Sequence, residues 1–435
     1  MTEDQVTQDH GRRILIKHAA ELVTCGGLAP KQGAEMNNIG IIMDGALVIE
    51  NGIITEVGTT TDILARVDEK NYEVIDGTGK CVMPGFVDSH THFIFGGYRP
   101  DEFFWRLNGT PYLDILERGG GILSTVQATR NIDTQELKAI GKKRLDAMLA
   151  MGVTTVEGKS GYGLDMSTEL GQLAVMAELN QEQAVEVVPT FMGAHAIPPE
   201  YRGRTDDYVN FIMAQVLPAV AQQGVAEFCD VFCEQGVFSV EQSRKILLAA
   251  QNLGIKSKLH ADEIVDLGGA ELAGELQATS ADHLLQTSDA GIDCLAAQGV
   301  VATVLPMTAF CLRESYARAR RMIDRGAAVA LATDYNPGSC FSHSIPLVAS
   351  LAAIQLQMTP AEIVTGLTIN GAAAVGRAEM VGSLECGKQG DVVILDQPSH
   401  LFLMYHAGMN IVDKVIKNGQ IVIDHSKGKM NGVWR

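Results

Sequence analysis

The chain has no apolar run approaching the roughly 18 residues that a bilayer span requires. Its first residues, with Glu3, Asp4 and Asp9, lack the basic and then apolar layout of a signal peptide, so a cytoplasmic protein is expected. Basic patches are missing as well. With 34 Lys and Arg against 52 Asp and Glu, the formal charge of -18 argues against wrapping nucleic acid or lying on an anionic membrane. The eight cysteines (Cys25, Cys81, Cys229, Cys233, Cys294, Cys311, Cys340 and Cys386) contain no Cys-x-x-Cys, so neither a zinc ribbon nor a disulfide framework is indicated. Most of them read as buried, reduced, small apolar residues. What is present is 435 residues, 46% of them hydrophobic, enough for a large catalytic domain and a smaller one.

The texture changes twice along the chain. From about Arg13 to Asp76 short apolar runs surround Asp44-Gly45 and Asn51-Gly52, dipeptides that favour hairpin turns. The C-terminal end repeats the pattern in Gly390 to Asp396 and in Lys414 to Ile423, with Asn418-Gly419 between strand-like runs. Neither end has enough strands to bury both faces of a sheet, so the two are expected to pair into one β-sandwich, residues 1–80 with 387–435.

Between them lie eight candidate strands: Val82 to Phe86, Val153 to Glu157, Val185 to Pro189, Phe228 to Phe232, Lys256 to His260, Thr279 to His283, Val300 to Leu305 and Ala328 to Thr333. Helix-like stretches such as Thr134 to Met151, Ser167 to Asn180, Val240 to Leu253 and Leu267 to Leu276 separate them, several closed by Gly. This alternation predicts an α/β fold, a TIM-type (β/α)8 barrel over residues 81–386, whose catalytic groups gather at the C-terminal strand ends. A doubly wound open sheet is the rival.

The histidines favour the barrel. In Pro84-Gly-Phe-Val-Asp-Ser-His-Thr-His92, His90 and His92 share one face of an extended chain and can hold a metal ion between them. His195 follows the third strand, His260 ends the fifth, His283 the sixth, and Asp334 the eighth. A closed barrel brings all of them to one mouth, whereas an open sheet spreads them over about 30 Å. Each alone has a plain structural reading, such as a hydrogen-bonded loop histidine or an Asp N-cap. Joint placement is what those readings lack. His10, His18, His343, His400, His406 and His425 fall away from strand ends and receive no role.

The Pro-Gly-x-x-Asp-x-His-x-His opening, the later His and Asp strand ends and the split β-domain resemble the amidohydrolase superfamily over nearly the whole chain. Within it, Phe93 to Phe103, Gly119 to Arg130, Glu157 to Leu164, Leu259-His-Ala-Asp-Glu263 and Ala332-Thr-Asp-Tyr-Asn-Pro-Gly338 resemble the imidazolonepropionase family. The resemblance implies hydrolytic opening of the 4-imidazolone-5-propanoate ring to N-formimidoyl-L-glutamate by a metal-activated water, in histidine degradation. It also implies one divalent or trivalent ion, zinc or iron, on His90, His92, His260 and Asp334. Relatives with two metals need a carboxylated bridging lysine, and Lys159 is the lysine considered for that place; the family motif does not use it so. Glu263, His283 and Asp334 are the implied proton-moving groups. Arg99 is the implied partner of the substrate carboxylate, with Tyr162, His195, Glu263, Asn336, Gly338 and Ser339 as further substrate contacts. Gly338 is expected where backbone must approach the ligand.

Met307, Thr308, Cys340 and Phe341 sit uneasily with this picture and mark where ring specificity is least secure. The implied partner is a small carboxylate substrate; nucleic acid and membranes are not expected. Barrels of this type often form homodimers, and Ile345 to Ile354 offers an apolar stretch for an interface or for packing on the barrel. The alternative function is a mononuclear metal-dependent deaminase of a nucleobase-like heterocycle, which would give Arg99 no carboxylate to hold. A scaffold that has lost its chemistry would be expected to lack a ligand residue, and none is missing.

Overall fold

The computed structural model describes residues 13–110, 114 and 118–428, so His10 and the N-terminal acids lie outside the described residues. Strands β1 (Arg13–Val23), β2 (Ile41–Glu50), β3 (Ile53–Thr59), β4 (Glu73–Asp76) and β5 (Cys81–Pro84) open the chain. Strands β6 (Phe86–Asp88), β7 (Val153–Lys159), β8 (Glu186–Ala194), β9 (Phe228–Cys233), β10 (Lys256–Ala261), β11 (Ser280–His283), β12 (Val301–Val304) and β13 (Val329–Leu331) follow. Strands β14 (Val392–Leu395), β15 (Val412–Lys417) and β16 (Gln420–Asp424) close it.

The last three pair with the first five in one eight-stranded sheet of order β16-β15-β14-β5-β1-β2-β3, with β4 beside β1. The two chain ends therefore do pair into one β-domain, built on a single sheet. Ile14, Leu47, Ile54 and Ile75 from one end share an apolar cluster with Val392 and Ile416 from the other. The Asn51-Gly52 and Asn418-Gly419 turns both form with positive φ at each residue, as the hairpin reading requires. Asp44-Gly45 does not turn the chain. It lies inside β2, beside a register shift in the β1–β2 pairing, and a Cβ on Gly45 would meet Leu22 Cβ at 2.3 Å. Glycine there serves close packing rather than a hairpin.

Strands β6 to β13 form the second sheet in sequence order, each parallel to the next, as the barrel reading predicts. The expected first strand, Val82 to Phe86, divides at Pro84-Gly85. Its front half, β5, pairs with β1 and β14 in the terminal sheet, and only Phe86 onward enters the barrel. A Cβ on Gly85 would lie 2.3 Å from Thr154 Oγ1, so the crossing point needs a residue without one.

First and last barrel strands meet through the segments that follow them. A parallel bridge joins Thr91 to Tyr335, Asp334 N donates to His90 O at 3.0 Å, and His92 N to Tyr335 O at 2.9 Å. The buried Asp88 carboxylate accepts from Thr333 N at 2.9 Å and from its hydroxyl at 2.7 Å. This clasp sets His90, His92 and Asp334 side by side.

The helices lie where periodicity puts them: Thr134–Ala150, Met166–Glu182, Val240–Asn252 and Gly269–Glu275. Asp133 caps the first of these, and Ser239 with Gln242 forms a capping box on the third. Ile345–Ile354 is a helix of almost wholly buried residues, with Ile354 itself exposed, so it packs within the molecule instead of presenting an apolar face.

Candidate active site

Four imidazoles and one carboxylate converge where β6, β10, β11 and β13 end. His90 Nδ1 lies 2.6 Å from Asp282 Oδ2, and His260 Nδ1 lies 3.0 Å from Asp230 Oδ2. A carboxylate can only accept, so each Nδ1 carries the proton and each Nε2 keeps a lone pair. Both Nε2 atoms are buried without a hydrogen-bond partner. His90 Nε2 and His92 Nε2 each stand 3.6 Å from Asp334 Oδ1. Ligand atoms of His90, His92 and Asp334 fall within 4.8 Å of one another, as do those of His90, His260 and His283. Buried lone pairs with nothing to accept are costly unless a cation answers them. The donor set, three imidazoles and a carboxylate, suits zinc or iron.

Burial, together with the charges of Lys159 and neighbouring histidines, pushes His90 and His92 well below the usual imidazole range and keeps them neutral, as metal ligands must be. Burial raises the Asp334 carboxyl to about 6, against a hydrogen bond from Thr308 that favours the ionised form. That bond, Thr308 Oγ1 to Asp334 Oδ2 at 2.7 Å, accounts for one residue that the sequence left unexplained. Met307 beside it is fully buried in the helix Pro306–Leu312. Cys340 is also buried, and its carbonyl accepts from Asn336 N at 2.8 Å.

A cavity of about 230 Å³ opens over this cluster, lined by His92, Arg99, Tyr162, His195, His260, Glu263, His283, Asp334, Asn336, Gly338 and Ser339. Every residue placed at the site from sequence is therefore brought together, save that His90 lies behind the wall. His195 stacks on His92 with ring centroids 4.9 Å apart, and its Nδ1 sits 3.1 Å from Gly161 O, which leaves Nε2 as its free acceptor. Tyr162 is buried beside both rings, 5.3 Å from His195 and 5.9 Å from His92. Glu263 Oε1 lies 3.6 Å from His283 Nδ1. Burial and the nearby Asp334 and Glu234 charges raise Glu263 to about 8, so it can stay protonated at neutral pH.

Arg99 is not a surface cation. Its side chain is 11% exposed, and its Nη1 lies 3.3 Å from both oxygens of Glu102, which also accepts from Gly121 N at 2.7 Å. Glycine at 338 has a reason besides the expected approach of backbone to a ligand. A Cβ there would stand 2.0 Å from Arg99 Nη2, so the small residue makes room for the guanidinium. Asn336 spends its amide within the loop: Nδ2 donates to Asp334 O and Ser339 Oγ, and Oδ1 accepts from Gly338 N and Ser339 N, each at 2.7 or 2.8 Å. It shapes the loop that presents Gly338 and Ser339.

Sequence reasoning missed the layer beneath. Glu157 and Lys159 on β7, Asp230 on β9, Lys258 on β10 and Asp282 on β11 are all fully buried. Lys159 was considered and Lys258 was not, yet both ammonium groups bind Glu157, and Lys159 also binds Asp230. A signal was available: charges of both signs inside strands whose other residues are apolar.

The comparisons agree with this geometry. A model of the amidohydrolase family, whose members depend on metal, matches residues 81–422. An imidazolonepropionase of Clostridium tetani is 59% identical over 413 residues, covering 95% of this chain and 99% of that one. One from Parabacteroides distasonis is 58% identical over 409 residues, covering 94% and 98%. Among solved structures, a zinc-bound adenosine deaminase from Xanthomonas campestris aligns with a TM-score of 0.68 at 20% identity, covering 94% of this chain and 93% of that one. E. coli guanine deaminase aligns at 0.71 and 16%, covering 95% and 99%, and both likenesses bear on the fold alone. The chain belongs to the amidohydrolase family and, within it, to the imidazolonepropionases.

Proposed function

We propose that the protein adds water across the ring amide of 4-imidazolone-5-propanoate, giving N-formimidoyl-L-glutamate in histidine degradation. The observation that carries this reading is one cavity with inward imidazoles and Asp334 in its floor and the Arg99 guanidinium in its wall. A heterocycle bearing a carboxylate fits both ends; a neutral base gives Arg99 no carboxylate beyond that of Glu102.

His90, His92, His260 and Asp334 would hold a single divalent or trivalent ion, zinc or iron. Bound there, such an ion acts as a Lewis acid that makes hydroxide accessible near neutral pH. Arg99 holds the propanoate by a charge-assisted fork, in exchange with or beside Glu102. Tyr162 and His195 close over the ring, and Gly338 and Ser339 offer the loop set by Asn336. Water oxygen bonds to the ring carbonyl carbon, the carbon–nitrogen bond breaks, and the ring nitrogen takes a proton. Glu263, protonated up to about pH 8, supplies that proton, with His283 beside it as relay. Asp334 accepts the proton that the water loses.

Product analysis tests the reading. Ring opening raises the substrate mass by one water and releases no ammonia, whereas a deaminase releases ammonia and keeps the ring. Ammonia with an intact ring would overturn it.

A further inference from the structure

Behind His90, on the Nδ1 side of its ring, lies a second group of potential ligands. The atoms of His90, Glu157 and Asp282 fall within 4.8 Å of one another, all in the protein interior. Asp230 adds a third carboxylate, since Lys159 Nζ touches it at 2.6 Å while lying 3.0 Å from Glu157 and 3.6 Å from Asp282. Lys258 Nζ lies 2.8 Å from Glu157 and 3.8 Å from Asp282, and donates to Ser89 O at 3.1 Å. Thr190 Oγ1 donates to Glu157 at 2.5 Å, and Ser280 Oγ to Asp282 at 2.6 Å. Three carboxylates are a donor set that takes a divalent cation readily, and His90 Nδ1, which donates to Asp282, would join them only by giving up its proton. Two ammonium groups carry the same charge as one such cation, and they lie among these carboxylates.

We infer that Lys159 and Lys258 occupy a second cation position behind His90 and so hold the metal centre to one ion. This rests on the single-ion reading given above. The two lysines carry two positive charges against the three carboxylates of Glu157, Asp230 and Asp282 in the interior. Asp230 and Asp282 in turn accept from His260 Nδ1 and His90 Nδ1 and fix which ring nitrogen faces the metal. A dication entering this pocket would meet two ammonium charges at close range. A carboxylated Lys159 would instead place a further negative charge against three carboxylates, which the distances above disfavour. Both lysines are positioning residues: they act through Asp230, Asp282 and Glu157 and, for Lys258, through the Ser89 carbonyl beside His90.

The experiment is metal stoichiometry of the full chain dialysed against zinc alone, measured by elemental analysis on wild type, Lys159→Ala, Lys258→Ala and Lys159→Arg. Wild type and Lys159→Arg should hold one zinc per chain. Each alanine variant, with a charge and its volume removed, should hold two. One zinc per chain in both alanine variants overturns the inference while leaving the single-ion reading intact; two in wild type contradicts both. If an alanine variant unfolds, thermal unfolding with and without excess zinc decides the matter. Rescue by zinc supports replacement of the ammonium by a cation, and failure to rescue either variant overturns it.

Discussion

Replacing Thr308 by valine removes one hydroxyl from the interior and keeps the side-chain shape. That hydroxyl donates to Asp334 Oδ2 at 2.7 Å, and both residues are buried, so no solvent can replace it. A hydrogen bond to a charged group contributes about 1.5–3 kcal/mol. At about 1.4 kcal/mol per tenfold, the loss in metal affinity is roughly 10- to 100-fold, the range typical of partners that orient a metal ligand. The loss should depend on pH. Burial holds Asp334 at about 6, and the Thr308 bond works against that rise by favouring the carboxylate. Without it the proton binds more tightly and competes with the metal, so the defect is deeper at pH 6 than at pH 8. Competition with a chromophoric chelator at both pH values measures it. Affinity within about twofold of wild type at pH 6 would refute the claim that this bond secures the ligand.

His260→Ala removes a proposed ligand whose Nε2 is buried without a hydrogen-bond partner; turnover should be abolished while circular dichroism still reports a folded chain, and near-normal activity would count against the metal site. Arg99→Ala removes the proposed carboxylate contact, one made in ground and transition states alike, so KM should rise by roughly 10- to 100-fold with kcat little changed in steady-state assays. Gly338→Ala should imitate it in milder form, because the new methyl displaces the Arg99 guanidinium; unchanged KM would separate that guanidinium from substrate binding. With Glu263 raised to about 8 by burial and by Asp334 and Glu234, its acid form is lost as pH rises through that value, so kcat/KM should fall on the alkaline side. The residual activity of Glu263→Gln should lack that limb.

Much of the fold was legible because the barrel strands are short apolar runs bounded by glycine and by capped helices. The Val240–Asn252 helix and the β7 to β13 strands begin and end close to where their patterns do, except that β8 runs five residues past Pro189 to Ala194. What periodicity cannot give is the partner of a strand. Val82 and Phe86 sit in one apolar run, yet they belong to different sheets, because Pro84-Gly85 lets the chain cross. Asp44-Gly45 misled for a related reason: the dipeptide permits a turn, but pairing with β1 carries the strand through. At the site, His90, His92 and Asp334 were readable from local motifs. Glu157, Asp230, Lys258 and Asp282 come from four different strands and acquire meaning only when the barrel brings them within hydrogen-bond reach. Thr308 looked out of place in the stretch after the seventh strand because its partner lies 26 residues away.

The most direct test is to follow the ultraviolet absorbance of freshly generated 4-imidazolone-5-propanoate with purified protein, before and after a chelator strips the metal. The account predicts rapid loss of absorbance that the chelator abolishes and that restored zinc or iron recovers. Persistent absorbance with a folded, metal-loaded sample would contradict it.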